Sequence, residues 1–314
     1  MNNVQIKNIE FTLGKKKEQY SDLSVENPSW NSKRILNATG IKTRYLSGDE
    51  DIISLSLKSA KKILKKFPKK KIDFLILVSQ TSNFRIPTSA CIIQNKLDLR
   101  KDIIAFDINL GCSGFIYALR MASSLIESRQ VNNGIIVCAD TYTKHISKTN
   151  TACRPIFSDA AAATLVSKTK KNNIGPFELG ADGSGADALL LSSEKNEIVM
   201  NGAKVLTFAM DVVPNNVEAL LKKIKISKNK IDKFIFHQAS KYILDNINRR
   251  LSLKKEKTFE NYGKVGNTIS ASIPIALKDA CTKKKISNNN NIVIAGYGVG
   301  LSWGSALIKW NKIL

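Results

Sequence analysis

The fold is decided by a stretch that occurs twice, as Lys71-Ile72-Asp73-Phe74-Leu75-Ile76 and, 159 residues later (231 − 72), as Lys230-Ile231-Asp232-Lys233-Phe234-Ile235-Phe236. Two more pairs of segments match in the same order at an offset of 157 residues (221 − 64 and 292 − 135). They are residues 63–67 with 220–224, and residues 132–137 with 289–294. Three ordered matches at nearly one offset indicate an internal repeat that covers most of the chain.

Both copies of the repeat predict the same order of elements: a helix, an apolar strand, a helix, a junction that opens another helix, and a second apolar strand. The predicted elements are residues 52–67, 74–78, 89–97, 112–128 and 135–139 in the first copy, and 212–224, 234–236, 242–251, 270–280 and 292–295 in the second. This alternation is typical of largely parallel sheets covered by helices. The sequence therefore predicts an α/β protein with two similar halves, residues 1–170 and 171–314, linked within residues 168–177.

The composition favours a globular enzyme over several other classes. The 314 residues include 49 Lys+Arg and 26 Asp+Glu, a formal net charge of +23. The lysines are scattered in short runs without interleaved aromatic residues, which favours a solvated basic surface over nucleic-acid binding. A third interpretation is that the basic surface steers an acidic protein or a phosphate-bearing substrate to its site.

No apolar run is long enough to span a bilayer, and residues 1–13 lack the order of a signal peptide. We therefore expect a soluble, cytoplasmic protein that does not bind membranes. The five cysteines form no CxxC pair, so we expect neither a disulfide framework nor a metal site.

One cysteine lies where a nucleophile could be presented. An apolar run at residues 103–110 leads into Gly111-Cys112-Ser113-Gly114, and a helical pattern follows at once. A strand-to-helix turn of this kind exposes its central side chain at the top of a sheet. The helix dipole would stabilise the thiolate, the attacking form of the side chain. The alternative is a buried cysteine in a tight turn, and this segment alone does not decide between the two.

The remaining candidate residues come from the second half. The chain has only two histidines; His237 ends the apolar strand at residues 234–236, whereas His145 lies in a polar stretch that is typical of a surface loop. Asn267 precedes the helix at residues 270–280 and falls near the counterpart of Cys112 in the repeat (267 − 157 = 110). Taken alone, it is typical of a helix cap or a turn.

The glycine-rich stretch at residues 296–304 follows a strand but leads into another apolar strand, and it lacks a Gly-Lys-Ser/Thr sequence. It therefore does not indicate a phosphate-binding loop. Close approach of its backbone N–H groups to a ligand is the better interpretation.

Together these motifs resemble the β-ketoacyl-acyl-carrier-protein synthase III family. The resemblance rests on Gly-Cys-Ser-Gly-Phe at 111–115, His-Gln-Ala at 237–239, Gly-Asn-Thr at 266–268, Ser-Ile-Pro-Ile-Ala-Leu at 272–277 and Trp-Gly-Ser at 303–305. It extends over nearly the whole chain. It implies the thiolase fold, with two pseudo-symmetric halves in a five-layer αβαβα arrangement, and a homodimer.

The resemblance also implies the roles of the catalytic residues. Cys112 looks like the nucleophile that holds the acyl group as a thioester. His237 and Asn267 look like the pair that hydrogen-bonds the malonyl thioester in a decarboxylative Claisen condensation. The oxyanion hole would be formed by the backbone N–H groups of Cys112 and Val299. No cofactor is implied, and the substrates are acyl-CoA or acyl-carrier-protein thioesters.

The implied substrate-binding residues are Ile86, Phe157, Arg34, Arg154 and Lys241. Ile86 matches a residue that shapes the acyl pocket across the dimer interface. Arg34 and Thr151 occupy the positions of the family's tryptophan and arginine around the CoA adenine, with Arg154 nearby. Lys241 lies where the family has Asn and Arg, and Phe157 opens a stretch with less glycine than usual. These departures favour acyl groups delivered by acyl carrier protein, in a specialised pathway.

Two other functions remain open from the sequence. The same fold could transfer the acyl group of Cys112 to an alcohol or amine, without forming a carbon–carbon bond. The chain could also be a catalytically silent binding subunit, although the presence of Cys112, His237 and Asn267 argues against this.

Overall fold

The computed structural model describes residues 3–171, 173–311 and 313. The strands are β1 (Val4–Leu13), β2 (Lys16–Gln19), β3 (Thr43–Leu46), β4 (Phe74–Val78), β5 (Ile104–Ile108), β6 (Asn133–Asp140), β7 (Ala160–Lys168), β8 (Ile174–Ala181), β9 (Leu189–Leu191), β10 (Ile198–Met200), β11 (Lys233–Phe236), β12 (Asn291–Gly298) and β13 (Ser302–Lys309). The α-helices are α1 (Asp22–Glu26), α2 (Ser32–Thr39), α3 (Ile52–Leu64), α4 (Ser89–Lys96), α5 (Gly114–Glu127), α6 (Gly202–Ile224), α7 (Lys241–Arg250), α8 (Tyr262–Val265) and α9 (Ser272–Thr282).

Two sheets repeat one strand order. In the first, the order is β1-β7-β6-β4-β5, and in the second it is β8-β13-β12-β11. In each sheet the two strands of the repeat pair in parallel, β4 with β6 and β11 with β12. The strands that follow on one side, β7 and β1 or β13 and β8, pair antiparallel, whereas β5 pairs in parallel with β4. Among the described residues, no strand of the second sheet corresponds to β5. Along the chain, β7 is the last strand of the first sheet and β8 is the first strand of the second. The division of the chain at residues 170 and 171 stays a prediction. Asn172, part of the predicted link, lies outside the described residues.

Alternating side chains separate three cores. In β4, Phe74, Ile76 and Val78 face a central layer formed by α5 and α9, whereas Leu75 and Leu77 face α3 and α4. In the second sheet, β11 and β12 alternate in the same way between the central layer and the outer helices α6 and α7. Strands buried on both faces explain the continuous apolar runs in the sequence. The result is the predicted αβαβα arrangement of the thiolase fold.

The repeated Lys-Ile-Asp motif has the same structural role in both halves. The N–H of Asp73 donates to Asn133 O at 2.8 Å, and its carboxylate accepts from the N–H groups of Asn132 at 2.8 Å and Asn133 at 3.0 Å. Asp232 repeats the arrangement with Asn291, at 2.8 Å through its N–H and 2.7 Å through its carboxylate. Each aspartate therefore joins the start of one parallel strand to the start of its neighbour.

The predicted helix boundaries differ from the structure by one to three residues in most helices, and by ten at the start of α6 (212 − 202). Helix α6 begins at Gly202 rather than at residue 212, because Asn201 caps it by accepting from the N–H of Lys204. Helix α5 begins at Gly114, so Cys112 precedes the helix instead of opening it. Among the described residues, no helix combines the length and the apolar character needed to cross a bilayer.

Candidate active site

Cys112 lies between the end of β5 and the first residue of α5, at the central layer of the fold. Gly111 and Gly114, on either side of Cys112 and Ser113, lie close to side chains at the end of β4. A Cβ at Gly111 would lie 2.4 Å from Gln80 Oε1, and one at Gly114 would lie 2.4 Å from Val78 Cγ1. The Gly-Cys-Ser-Gly sequence therefore lets the turn pack directly against the end of β4.

The glycine-rich stretch approaches the candidate nucleophile itself. A Cβ at Gly296 would lie 2.6 Å from Cys112 O, and one at Gly298 would lie 3.1 Å from Cys112 Sγ. The sequence predicted a close approach of this backbone to a ligand. In the structure, Gly296 and Gly298 of this stretch pack against Cys112. Any side chain at Gly298 would occupy the space beside the sulfur.

Two opposing effects act on the thiol of Cys112. The residue is 6% exposed, and burial raises the pKa of its thiol, with a further increase from the negative charge of Asp140. The dipole of α5, which begins two residues later, acts in the opposite direction. The stabilisation of the thiolate by this helix stays a prediction.

His237 directly follows β11 and is 2% exposed. Its Nδ1 lies 2.6 Å from the hydroxyl of Ser272, and that hydroxyl also accepts from the N–H of Gln238 at 3.4 Å. The serine hydroxyl can donate its proton to Nδ1 while its oxygen accepts from the backbone N–H, and in that arrangement the imidazole proton lies on Nε2. Burial lowers the pKa of His237 to about 3, so the ring is neutral at physiological pH.

Asn267 lies between α8 and α9 and is held in one orientation. Its Oδ1 accepts from the N–H of Ile269 at 3.0 Å, while its backbone N–H donates to Ile156 O at 3.0 Å. With Oδ1 engaged, the Nδ2 group is the part of the side chain left to donate. Ile269 itself has φ of +51°, so this turn is held in a conformation that β-branched residues rarely adopt.

One cavity of 190 Å³ brings the three predicted catalytic residues together. Its lining includes Cys112, His237 and Asn267, together with Phe157 and Gly298. The remaining lining residues come mainly from α6, α7 and the segments beside them: Ile156, Leu189, Met200, Gly202, Val205, Leu206, Ala239, Ser240, Tyr242, Ile243 and Tyr297. Because Tyr242 is 56% exposed, this side of the cavity reaches the surface.

The other predicted site residues lie in different places. Phe157 lines the catalytic cavity and is 2% exposed. Val299 follows Gly298 and lines a second, larger cavity. Ile86 is 89% exposed on the loop after β4, so it contacts little of its own chain.

The three basic residues predicted to bind substrate line neither cavity. Arg34 is exposed on α2. Lys241 is exposed at the start of α7 and forms an ion pair with Asp245. Arg154 is buried, and its guanidinium pairs with Glu18 at 2.8 Å and with Glu26. Its role at a substrate stays a prediction, and the guanidinium would have to leave two carboxylates to fulfil it.

Two residues beside the catalytic cavity were not predicted to act there. Ser272 braces His237, and the ring of Tyr297 packs edge-on against the imidazole at 5.4 Å. Both lie in stretches that the sequence singled out, 272–277 and 296–304, but only the fold shows that they contact the histidine. His145, expected in a surface loop, is half-buried and lines the larger cavity with Tyr142, away from the catalytic one.

The sequence of this chain is similar to that of a known enzyme family. The family model described as 3-oxoacyl-[acyl-carrier-protein (ACP)] synthase III matches residues 106–183, and the model of its C terminal matches residues 221–310. A β-ketoacyl-[acyl-carrier-protein] synthase III of Clostridium perfringens is 36% identical over 291 residues, which cover 88% of this chain and 90% of that protein. The chain belongs to the β-ketoacyl-acyl-carrier-protein synthase III family.

Solved structures of synthase III proteins agree with this assignment. The 3-oxoacyl-[acyl-carrier-protein] synthase III of Aquifex aeolicus is 30% identical with a TM-score of 0.93, covering 98% of this chain and 100% of that one. The synthase III of Pseudomonas aeruginosa is 27% identical with a TM-score of 0.94, covering 99% of each chain. The predicted synthase III family and the thiolase fold are both confirmed.

Proposed function

We propose that the chain condenses an acyl group, held as a thioester on Cys112, with malonyl-acyl-carrier protein to give a 3-oxoacyl product. The observation that carries the proposal is the cavity in which a thiol faces two N–H donors of fixed orientation. The synthase III relatives favour this reaction over acyl transfer to an alcohol or amine and over a silent binding subunit. They also favour a place in fatty-acid synthesis.

The first step is acyl transfer to the cysteine. The sulfur of Cys112 attacks the carbonyl carbon of the incoming thioester, and the bond from that carbon to the donor sulfur breaks. The donor leaves as a thiol, taking up the proton that Cys112 loses. The backbone N–H groups of Cys112 and Val299 are the proposed donors to the oxyanion.

The second step forms the carbon–carbon bond. Carbon dioxide leaves the malonyl group, and the electrons of the broken bond form an enolate at the thioester. His237 Nε2–H and Asn267 Nδ2–H donate to the enolate oxygen. Since both donors are already oriented, by Ser272 and by the N–H of Ile269, little reorganisation is needed as charge develops. The enolate carbon attacks the acyl carbon, and Cys112 leaves as a thiolate that is then protonated.

The surface at the cavity entrance is suited to an acidic carrier. Ser240 and Tyr242, at the start of α7, line the cavity, and Lys241 between them is exposed. Together with the net charge of +23, this exposed lysine would attract acyl carrier protein. No organic cofactor or metal ion takes part in the proposed steps.

A homodimer is part of the proposal. Strand β5 lies at the edge of the first sheet, where Ile104 is 37% exposed, and the nearby Phe84 and Ile86 are 43% and 89% exposed. An edge strand beside exposed apolar side chains is a surface that another chain can cover.

The proposal is tested by loading the protein with a labelled acyl thioester and then adding malonyl-acyl-carrier protein. We expect label on the protein, followed by release of carbon dioxide and formation of a 3-oxoacyl product. A protein that takes up no label contradicts both enzymatic functions. Label without carbon dioxide release contradicts condensation and favours simple acyl transfer.

The matched pair of variants is Cys112→Ala and Cys153→Ala. Both thiols are buried in the same apolar cluster, but only Cys112 lines the catalytic cavity. Cys112→Ala should lose labelling completely, and Cys153→Ala should keep it. Label that persists in Cys112→Ala would remove this residue from the mechanism.

A further inference from the structure

We propose that Asp140 is a positioning residue for condensation, because it anchors the segment of the second half that orients both proposed donors. The inference rests on the proposed function, in which His237 and Asn267 donate to the enolate oxygen. Asp140 is the last residue of β6, in the first half, and the proposed steps do not use it. It acts through Ser270 rather than on the substrate.

The carboxylate of Asp140 is fully buried and accepts hydrogen bonds from both halves of the fold. In the first half, the N–H of Gln80 donates to Oδ1 at 2.9 Å, and the hydroxyl of Thr81 donates to the same oxygen at 3.3 Å. In the second half, the hydroxyl and the N–H of Ser270 donate to Oδ2 at 2.5 Å and 3.4 Å. Each oxygen therefore serves a different half, and the carboxylate bridges them.

The segment around Ser270 carries the proposed machinery for condensation. Asn267 lies three residues before Ser270. Ser272, which braces His237, lies two residues after it. Displacement of this segment would therefore move both donors at once.

The backbone of this segment is strained beside Ser270. Ile269 has φ of +51°, a conformation that costs free energy for a β-branched residue and persists only when its surroundings hold it. On one side, the Asn267 side chain accepts from the N–H of Ile269 at 3.0 Å. On the other side, Asp140 accepts both hydrogen bonds of Ser270. Without Asp140 the turn would be free to relax, and a misplacement of about 1 Å can slow a reaction about 100-fold.

The charge of Asp140 acts on acylation in the opposite sense. Burial raises the pKa of the Cys112 thiol, and the negative charge of Asp140 raises it further. Neutralising Asp140 should therefore not slow the attack of the sulfur. Acylation and condensation should respond differently to this change, whereas a general loss of stability would weaken both.

The experiment compares Asp140→Asn with the wild type in the full-length protein at pH 8. Asparagine has a single oxygen, so only one half keeps its acceptor and the amide group meets the donors of the other. Intact-protein mass spectrometry measures acylation of Cys112, and carbon dioxide release from malonyl-acyl-carrier protein gives kcat and KM. We expect kcat for condensation to fall about tenfold, with KM within about twofold and acylation at least as fast as in the wild type.

Asp73→Asn is the matched control. Asp73 accepts from the N–H groups of Asn132 and Asn133, at the other end of the strand that Asp140 ends. The control should lower the melting temperature and leave both steps near the wild-type rate.

Ser270→Ala tests the same bridge from the second half and remains decisive if Asp140→Asn does not fold. It removes the shorter hydrogen bond to Asp140 and leaves those from Gln80 and Thr81 in place. Condensation should slow and acylation should persist. The double variant should be no slower than Asp140→Asn alone, since both substitutions remove one interaction.

A pH series adds a readout that is specific to the carboxylate. Burial raises the pKa of Asp140 to about 7. The ionised form accepts from both halves, whereas the protonated form carries a proton that competes with the donors already directed at it. The advantage of the wild type over Asp140→Asn in condensation should therefore be complete at pH 8 and shrink below pH 7.

The ionisable neighbours of Asp140 do not account for such a change. Burial raises the pKa of Cys138 on the same strand and of Tyr142 just after it. Cys112 carries the acyl group during condensation and has no proton to lose. The remaining hydrogen-bond partners of the carboxylate in the described part of the chain carry no charge: Gln80, Thr81 and Ser270.

The outcomes separate the two proposals. Equal loss of acylation and condensation in a folded Asp140→Asn protein overturns the inference. Unchanged condensation in Asp140→Asn or, where that variant does not fold, in Ser270→Ala overturns it too, and so does a ratio of wild type to Asp140→Asn that stays constant between pH 6 and pH 8. A wild type that is not acylated, or that releases no carbon dioxide, contradicts the proposed function instead.

Discussion

The two junctions that open the central helices occupy equivalent positions in the repeat but present different chemistry. Before α5, Cys112 lies in an apolar cluster, and the flanking glycines let the turn pack against β4. Before α9, Asn267 has its amide fixed by the N–H of Ile269, and Ser272 braces His237. In the proposed reaction, one junction supplies the nucleophile and the other supplies oriented hydrogen-bond donors. The comparison therefore predicts that loss of the second junction impairs condensation more than acylation.

The largest expected effect comes from removing the donors while keeping the nucleophile. His237→Ala and Asn267→Ala should each lower condensation on the order of 100- to 1000-fold, because each removes one donor to the enolate oxygen. Acylation of Cys112 should persist in both. Carbon dioxide release and intact-protein mass spectrometry measure the two steps separately.

The control is His145→Ala, which removes the only other histidine. It should leave both steps near the wild-type rate. If His237→Ala or Asn267→Ala blocks acylation as strongly as condensation, the two junctions do not divide the reaction.

A smaller effect is expected from Ser272→Ala. The imidazole would lose the partner that places its proton on Nε2, so kcat for condensation should fall about tenfold while KM and the acylation rate change little. Steady-state carbon dioxide release gives kcat and KM. Thr282→Ala removes a hydroxyl from the other end of α9, where it donates to Lys278 O, and serves as the control. An unchanged kcat in Ser272→Ala would show that the hydrogen bond between Ser272 and His237 does not contribute to condensation.

The smallest effects are expected from the aspartates of the repeated motif. Asp73 accepts from two backbone N–H groups and pairs with Arg100 at 3.1 Å, whereas Asp232 accepts from the N–H of Asn291. Asp73→Ala should therefore lower the free energy of unfolding by about 2 kcal/mol and Asp232→Ala by about 1 kcal/mol. Thermal unfolding of both variants tests the order.

Asp49→Ala is the control for this pair, because Asp49 is exposed and its backbone does not adopt a positive φ. It should leave the melting temperature close to that of the wild type. A larger loss of the free energy of unfolding in Asp232→Ala than in Asp73→Ala would contradict the expected order of the two variants.

The fold could be predicted because the repeat and the apolar strands are local patterns. Lys-Ile-Asp recurs since each copy performs the same strand-joining role, and the strands are continuous in apolar residues since both faces are buried. The trio Cys112, His237 and Asn267 could be placed at strand ends and helix starts for the same reason. Their roles remain predictions until the variants are measured.

The rest of the site depends on contacts between distant segments. Tyr142 follows β6 and reaches Gln80 after β4, which are neighbouring strands only in the folded sheet. The sequence placed Arg154 near a CoA adenine, but in the structure its guanidinium pairs with Glu18 on β2. The effect of Asp140 on the pKa of the Cys112 thiol could not be predicted either, because Asp140 lies outside every motif and only the fold brings it near the cysteine.

The packing of Gly298 against Cys112 links the reactivity of the thiol to the pairing of the last two strands. Gly298 pairs with Ser302 and Tyr297 with Trp303. A slip of one residue would turn the other face of β12 toward the sulfur, so that the Tyr297 ring would compete for the space that Gly298 leaves open. Because Cys112 is 6% exposed in the folded protein, its protection from alkylation should be complete only when this hairpin is in its correct register. The close packing of the cysteine in one half thus depends on a glycine that the other half supplies.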